Sequence, residues 1–221
     1  MKQTPLYRFG KVVVPPIFRI TNPLIVQGRE EMPKNGRVII CCNHVTMRDP
    51  ILVSMVHKRQ VYYMAKAELF DNKFVGGIIG SLGAFPVHRG QGDVDAMASA
   101  KQLLNKEQVV GIFIEGTRSR TGQLLKPKTG AVMLAYETHS PILPMCITAP
   151  GGKVPSSFQK LAISCGKLIQ PEELGIEEGN VSSYRKAARH VMEQIAQLRE
   201  RDLLLLQNKK NSAGRLPEGK E

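Results

Sequence analysis

Short apolar runs alternate with longer segments of helical periodicity along most of this chain, and that alternation restricts the possible folds more than any composition figure does. The runs at 37–42, 61–65, 84–87, 108–114, 141–148 and 160–165 have the length and flanking residues of buried strands. Between and after them, 50–57, 67–80, 93–105, 128–138 and 182–206 carry helical patterns. The last is the clearest, with Tyr184, Ala188, Val191, Ile195 and Leu198 at spacings of three and four. Strands separated by helices predict an α/β fold: a single domain with a mixed, largely parallel central sheet flanked by helices. The 221 residues, 42% of them hydrophobic, suffice for one substantial core. No composition break argues for a second, so 23–206 is expected to be one folded unit.

The two ends differ from this body. Residues 1–22 mix Leu6, Phe9, Val12, Val13, Val14, Ile17, Phe18 and Ile20 with Lys2, Arg8, Lys11 and Arg19, and Pro15-Pro16 are expected to break the segment in two. Such a stretch suits an amphipathic anchor in a membrane interface, with cations at the headgroups; it equally suits a terminal helix packed on the domain. No run approaches the roughly 18 apolar residues that span a bilayer, and no signal-peptide pattern opens the chain. Leu203 to Leu206 form an apolar patch beside Arg199, Arg201, Lys209 and Lys210, either a buried helix end or a second membrane contact. Residues 207–221 are polar with glycine and proline, and are expected to form a disordered tail.

A formal charge of +12 implies a polyanionic partner. With no tryptophan, 5% aromatic residues and no nucleic-acid fingerprint, base-stacking recognition is disfavoured, which leaves an anionic membrane surface or phosphorylated substrates. The four cysteines, Cys41, Cys42, Cys146 and Cys165, lie in or beside apolar runs without metal-ligand spacing and read as buried reduced thiols; no metal is expected.

Three constellations carry chemistry. In Asn43-His44-Val45-Thr46-Met47-Arg48-Asp49 a histidine precedes an aspartate by five positions, directly after an apolar run. On a straight helix those side chains would point about 140° apart, so only a turn can join them. Asp49-Pro50 looks like a helix start, with Asp49 as N-cap and Pro50 at the first helical position. A strand ending near 42, a turn through 43–48 and a helix from Pro50 would then bring base and orienter together. In isolation, each residue has a plainer role, Asp49 as a cap and His44 as a core histidine. The second constellation is Gly83-Ala84-Phe85-Pro86-Val87-His88-Arg89; the third is Phe113-Ile114-Glu115-Gly116-Thr117-Arg118-Ser119-Arg120. Arginines at strand ends beside hydroxyls and free amides suit a phosphate, and Glu115 is placed to hold them. Taken singly, either segment also reads as a solvated loop. The spacing after Gly116 rules out a Walker loop.

The three blocks, in this order, resemble the glycerolipid acyltransferase family, specifically its bacterial 1-acyl-sn-glycerol-3-phosphate acyltransferases. NHxxxxD appears at Asn43 to Asp49, GxxFxxR at Gly83 to Arg89, and FPEGTRS at Phe113 to Ser119 with isoleucine in place of the usual proline at 114. A fourth block, an apolar strand ending near a proline, matches Pro141 to Met145, and the likeness spans roughly residues 24–170.

The resemblance implies transfer of a fatty acyl group from a thioester of acyl-carrier protein or coenzyme A to the sn-2 hydroxyl of lysophosphatidate, giving phosphatidate, with no further cofactor. His44 would be the base and Asp49 its orienter, as in a serine-hydrolase triad without the serine; no GxSxG elbow is present, and transfer would be direct. Arg89, Glu115, Gly116, Arg118 and Ser119 would hold the acceptor's phosphate, with Lys128 adding charge and Asn43, Phe85, Thr117 and Pro144 in support. The expected location is the cytoplasmic face of the cell membrane, peripherally bound. Two alternatives stand beside this: an acyltransferase for glycerol 3-phosphate or another lysophospholipid, and a non-catalytic protein that binds anionic lipid.

Overall fold

Five consecutive apolar residues form a strand buried on both faces, β2 (Val38–Cys42), as a central strand covered by helices on each side must be. The computed structural model describes residues 4–87 and 93–213. β5 (Val109–Phe113) and β6 (Ile142–Thr148) flank β2, both parallel to it. Beyond β5 lie β3 (Val61–Lys66) and then β4 (Ala84–Val87), also parallel. On the other side β7 (Leu161–Cys165) runs antiparallel to β6, and β1 (Leu24–Gln27) pairs with β7 in parallel. The seven-stranded order is β1-β7-β6-β2-β5-β3-β4, mixed and largely parallel as the alternation predicts.

The helices divide between the two faces of the sheet. Val38, Ile40 and Cys42 share a core with Leu52, Val53 and Val56 of α2 (Asp49–Val56). Ile39 and Cys41 face the opposite way, into a core built with α4 (Asp93–Asn105), α5 (Gly130–Thr138) and α6 (Val181–Ala213). From β2 the chain crosses by α2 to β3 on one side; from the adjacent β5 it crosses by α5 to β6 on the other. Neighbouring strands whose connections depart in opposite directions leave a crevice at their carboxyl ends, the place where open α/β sheets bind ligands.

Several details differ from the sequence expectation. α1 (Pro5–Thr21) runs unbroken through Pro15 and Pro16. Its N-terminus is capped by the Thr4 hydroxyl, and below the prolines Tyr7 is buried with its hydroxyl on the Arg59 carbonyl. Lys11 points inward rather than toward headgroups: its Nζ donates to the carbonyls of Ser54 and His57 at the C-terminus of α2, where a cation offsets unpaired carbonyls. Burial lowers its pKa to about 8. The expected helix 67–80 is divided into a 3-10 turn, Ala67–Phe70, and α3 (Lys73–Ser81), which starts where the Asn72 side chain caps the amides of Phe74 and Val75. β1 was not anticipated. At the C-terminus α6 continues to Ala213, past the expected tail start at 207, and 214–221 lie outside the described residues. The leucine patch lies inside α6 rather than at its end, with Leu206 buried, Leu203 and Leu205 half-buried and Leu204 exposed.

Candidate active site

At the carboxyl end of β2, Asn43 replaces a strand residue with its side chain. Its amide donates to the Ile147 carbonyl at 3.0 Å and accepts from the Ile147 amide at 2.8 Å, extending the β2–β6 ladder by one step. That tie fixes where the chain leaves the sheet, and His44 follows. The imidazole stacks on Phe113 at the end of β5, ring centroids 4.0 Å apart and planes 16° off parallel; Tyr63 stacks behind Phe113 at 5.9 Å. The ring can therefore rotate little.

The turn brings His44 and Asp49 together. Nδ1 of His44 lies 2.8 Å from Oδ2 of Asp49. The same oxygen accepts from the amides of Val45 at 2.6 Å and Thr46 at 2.8 Å, while Oδ1 accepts from the Thr46 hydroxyl at 2.6 Å. A carboxylate with this many donors acts as an acceptor, so the shared proton resides on Nδ1 and Nε2 is left to take another. The Asp49 side chain is wholly buried and that of His44 is 18% exposed, an arrangement that shields the orienter and leaves the base reachable.

Asp49 does not cap α2 as expected. It is the first residue of the helix, Arg48 occupies the cap position, and the carboxylate reaches back into the preceding turn. Thr46, which sequence reasoning passed over, completes the turn: its hydroxyl binds Asp49 and accepts from the Arg48 amide. The pattern Thr-x-x-Asp ahead of an apolar helix was the signal that would have found it.

The loop after β5 closes the other side of the crevice. Glu115 is buried and does not hold arginines; one carboxylate oxygen accepts from the His44 amide at 3.2 Å and the other from the Leu125 amide at 3.1 Å. Burial raises its pKa, partly countered by those two amides. Gly116 turns the chain with φ +70°, a left-handed conformation favourable for glycine, and a side chain there would press on Lys128. Thr117, Arg118 and Lys128 are exposed around this turn, with the Lys128 amide bonded to the Ile114 carbonyl. Ser119 is turned inward instead: its amide donates to the His44 carbonyl at 2.8 Å and its hydroxyl accepts from the Gly122 amide at 3.1 Å. Its hydroxyl shapes the loop rather than facing the crevice.

The remaining expected residues are spread more widely. β4 carries the chain to the same carboxyl edge, with Val87 paired to Lys66, but Arg89 lies outside the described residues. Phe85 packs partly buried against the core below α4. Pro144 is buried in mid-strand beside Cys41 and accepts from the Gly166 amide just past the end of β7, where its missing N–H breaks no ladder. Both support the sheet rather than line the crevice. The four cysteines are buried, and burial raises their thiol pKa values, to about 12 for Cys146 and Cys165, so none is poised as a nucleophile.

Known proteins resemble this chain in sequence and in fold. The 1-acyl-sn-glycerol-3-phosphate acyltransferase of Bacillus subtilis is 31% identical over 146 residues, 66% of this chain and 72% of that one. The protein of the same description from Borreliella burgdorferi is 32% identical over 126 residues, 56% of this chain but only 50% of its own length. The crystal structure of the 1-acyl-sn-glycerophosphate acyltransferase of Thermotoga maritima shares the fold, with a TM-score of 0.63 at 21% identity over 89% of this chain and 78% of that one. The profile of the acyltransferase family matches residues 23–148, which hold the His44–Asp49 pair, the basic turn after β5 and the strands that position them, and the chain belongs to that family.

Proposed function

We propose that this acyltransferase moves a fatty acyl group from a thioester, carried on acyl-carrier protein or coenzyme A, to the sn-2 hydroxyl of 1-acyl-sn-glycerol 3-phosphate. The observation that carries the reading is the His44–Asp49 pair at 2.8 Å, seated beside a rim that exposes Arg118 and Lys128. Nε2 of His44 takes the proton of the acceptor hydroxyl as its oxygen attacks the thioester carbonyl. Asp49 stabilises the imidazolium so formed. When the tetrahedral intermediate collapses, the C–S bond breaks and the imidazolium returns the proton to the departing sulfur, leaving an ester and a free thiol. Arg118 and Lys128, joined by Arg89, which follows β4 by two residues in sequence, hold the acceptor's phosphate through charge-assisted hydrogen bonds. The nearness of that site to His44 sets the hydroxyl, not water, against the base.

The protein works at a membrane surface on this reading. Among the described residues no helix is long and apolar enough to cross a bilayer. One face of α1 is committed to the domain through Tyr7 and Lys11, while Phe9, Val12 and Ile20 are exposed. α3 packs beside it, with the Thr4 hydroxyl on the Ser81 carbonyl, and exposes Phe74, Val75 and Ile78. These apolar side chains of two adjoining helices enter the interface, and the net positive charge adds attraction to anionic lipid.

The test is a matrix of purified protein with lysophosphatidate, glycerol 3-phosphate and lysophosphatidylglycerol, each supplied with acyl-carrier-protein and coenzyme A donors. Highest turnover on lysophosphatidate supports the reading. A preference for either other acceptor overturns the substrate assignment.

A further inference from the structure

We infer that Arg199, on the C-terminal half of α6, is a positioning residue for the acceptor-phosphate loop 115–125. The inference rests on the assignment of that loop made above. Arg199 touches none of the residues proposed to meet substrate. Its Nη2 donates to the Gly122 carbonyl at 3.2 Å, the Gly152 carbonyl at 3.0 Å and the Gln123 side-chain oxygen at 3.4 Å. All three partners are neutral, and two belong to the far end of the loop that carries Arg118.

A chain of contacts joins this anchor to the base. The Gly122 amide donates to the Ser119 hydroxyl at 3.1 Å, and the Ser119 amide donates to the His44 carbonyl at 2.8 Å. The Leu125 amide binds Glu115, whose other oxygen holds the His44 amide. The loop is thus pinned to His44 at its start and to Arg199 at its turn. Arg118 is exposed and lies between Glu115 and Ser119, the two residues tied to His44, and Arg199 reaches this stretch through the bond from the Gly122 amide to the Ser119 hydroxyl.

The packing around the guanidinium is specific. Gly122 lies against the backbone of 152–153 so closely that an added Cβ would come within 2.5 Å of the Gly152 oxygen. Gly152 has φ +66°, and an added Cβ there would fall 2.3 Å from the Arg199 Nη2. The helix itself is secured three residues later, where buried Asp202 accepts from the hydroxyls of Thr148 and Ser164 at the ends of β6 and in β7. Asp202 fixes α6 to the sheet, and Arg199 extends that fixed point to the loop. An α6 residue nearly 80 positions from the loop in sequence therefore sets the acceptor site's geometry.

The experiment compares wild type, Arg199→Met, Arg199→Lys and Gly152→Ala by steady-state kinetics with each substrate varied, and includes Arg118→Ala as a parallel arm. Arg199→Met is expected to raise the Michaelis constant for lysophosphatidate about tenfold, with kcat and the donor constant within about twofold of wild type. Arg199→Lys should recover part of that loss, because it keeps the charge on a side chain one atom shorter than the path to Nη2, the nitrogen that makes all three bonds. Gly152→Ala displaces the guanidinium by a different route and should reproduce the defect, and adding it to Arg199→Met should cost nothing more. Parallel loss toward both substrates together with a lowered melting temperature, or an unchanged acceptor constant in the Arg199 and Gly152 variants, overturns the inference. If Arg118→Ala itself leaves the acceptor constant unchanged, the phosphate-loop assignment fails and the inference with it. If Arg118→Ala raises the constant and Arg199→Met does not, only the inference fails.

Discussion

Asp49→Asn isolates the charge of the orienter from its geometry. An amide oxygen in place of Oδ2 still accepts from Nδ1 of His44 and from the amides of Val45 and Thr46, and the new NH2 meets the Thr46 hydroxyl, which rotates to accept. The fold should survive nearly unchanged. What is lost is the attraction between carboxylate and imidazolium as the proton moves. Two unit charges about 4 Å apart at an effective dielectric constant near 20 attract by about 4 kcal/mol, and partial exposure of His44 reduces this, so about 2–4 kcal/mol is expected. That corresponds to a fall in kcat of roughly 30- to 1,000-fold. The assay is thiol release from acyl-coenzyme A or acyl-carrier protein with saturating lysophosphatidate, alongside a urea melt. Both Michaelis constants should hold within about twofold, since the charge acts only as the imidazolium forms. A folded variant that keeps more than about a tenth of wild-type kcat refutes the reasoning. Asp49→Ala should behave differently: it orphans two amides and a hydroxyl in the turn and should lower stability by about 2–5 kcal/mol as well.

Arg118→Ala should raise the Michaelis constant for lysophosphatidate about 10- to 100-fold while sparing the donor, and Arg118→Lys should rescue only part because the bidentate fork is lost; equal weakening toward both substrates would indicate a structural role. His57 is buried against the sulfurs of Met145 and Cys165, and burial lowers its pKa to about 4. Because the unfolded chain binds this proton more readily, stability should be full above about pH 6.5 and decline as pH falls toward 4. Unfolding in urea at pH 7 and 4.5 should show that His57→Leu removes about 2 kcal/mol of the wild-type decline; an identical decline in both proteins would contradict this. Replacing Phe9, Val12 and Phe74 together with serine should weaken binding to anionic vesicles at least about tenfold without loss of turnover on a soluble short-chain acceptor. Unchanged vesicle binding would remove α1 and α3 as the contact.

Where the sequence was informative, a local pattern decided the structure. The central strands β2, β5 and β6 are uninterrupted apolar runs because helices cover both faces, and the five-residue separation of His44 and Asp49 permits contact only across a turn. β1 escaped notice because four half-exposed residues between Pro23 and Gly28 are too few for periodicity to register. Pro15 and Pro16 do not break α1 because tertiary anchoring at Tyr7, Lys11 and the Asn22 side chain, which donates to the Ser156 and Gln159 carbonyls, outweighs two missing ladder bonds. At the site, residue type alone suggested that Glu115 served the arginines and that Ser119 faced the phosphate. Glu115 instead accepts from the amides of Leu125 and of His44, the latter brought close only by folding, and the Ser119 hydroxyl accepts from the Gly122 amide of its own loop. Arg199 carried no sequence signal at all, since its partners are carbonyls at 122 and 152 that any residue could present.

The central claim is that His44 takes the acceptor's proton during acyl transfer to lysophosphatidate. Its most direct measurement is phosphatidate formation, followed by mass spectrometry of the lipid product, from lysophosphatidate and acyl thioester with wild type and His44→Ala at equal folded concentration. Wild type should form phosphatidate with the new ester at sn-2, and His44→Ala should lose at least about a hundredfold in rate with its melting temperature preserved. A folded His44→Ala protein that retains more than about a tenth of the wild-type rate would contradict the account.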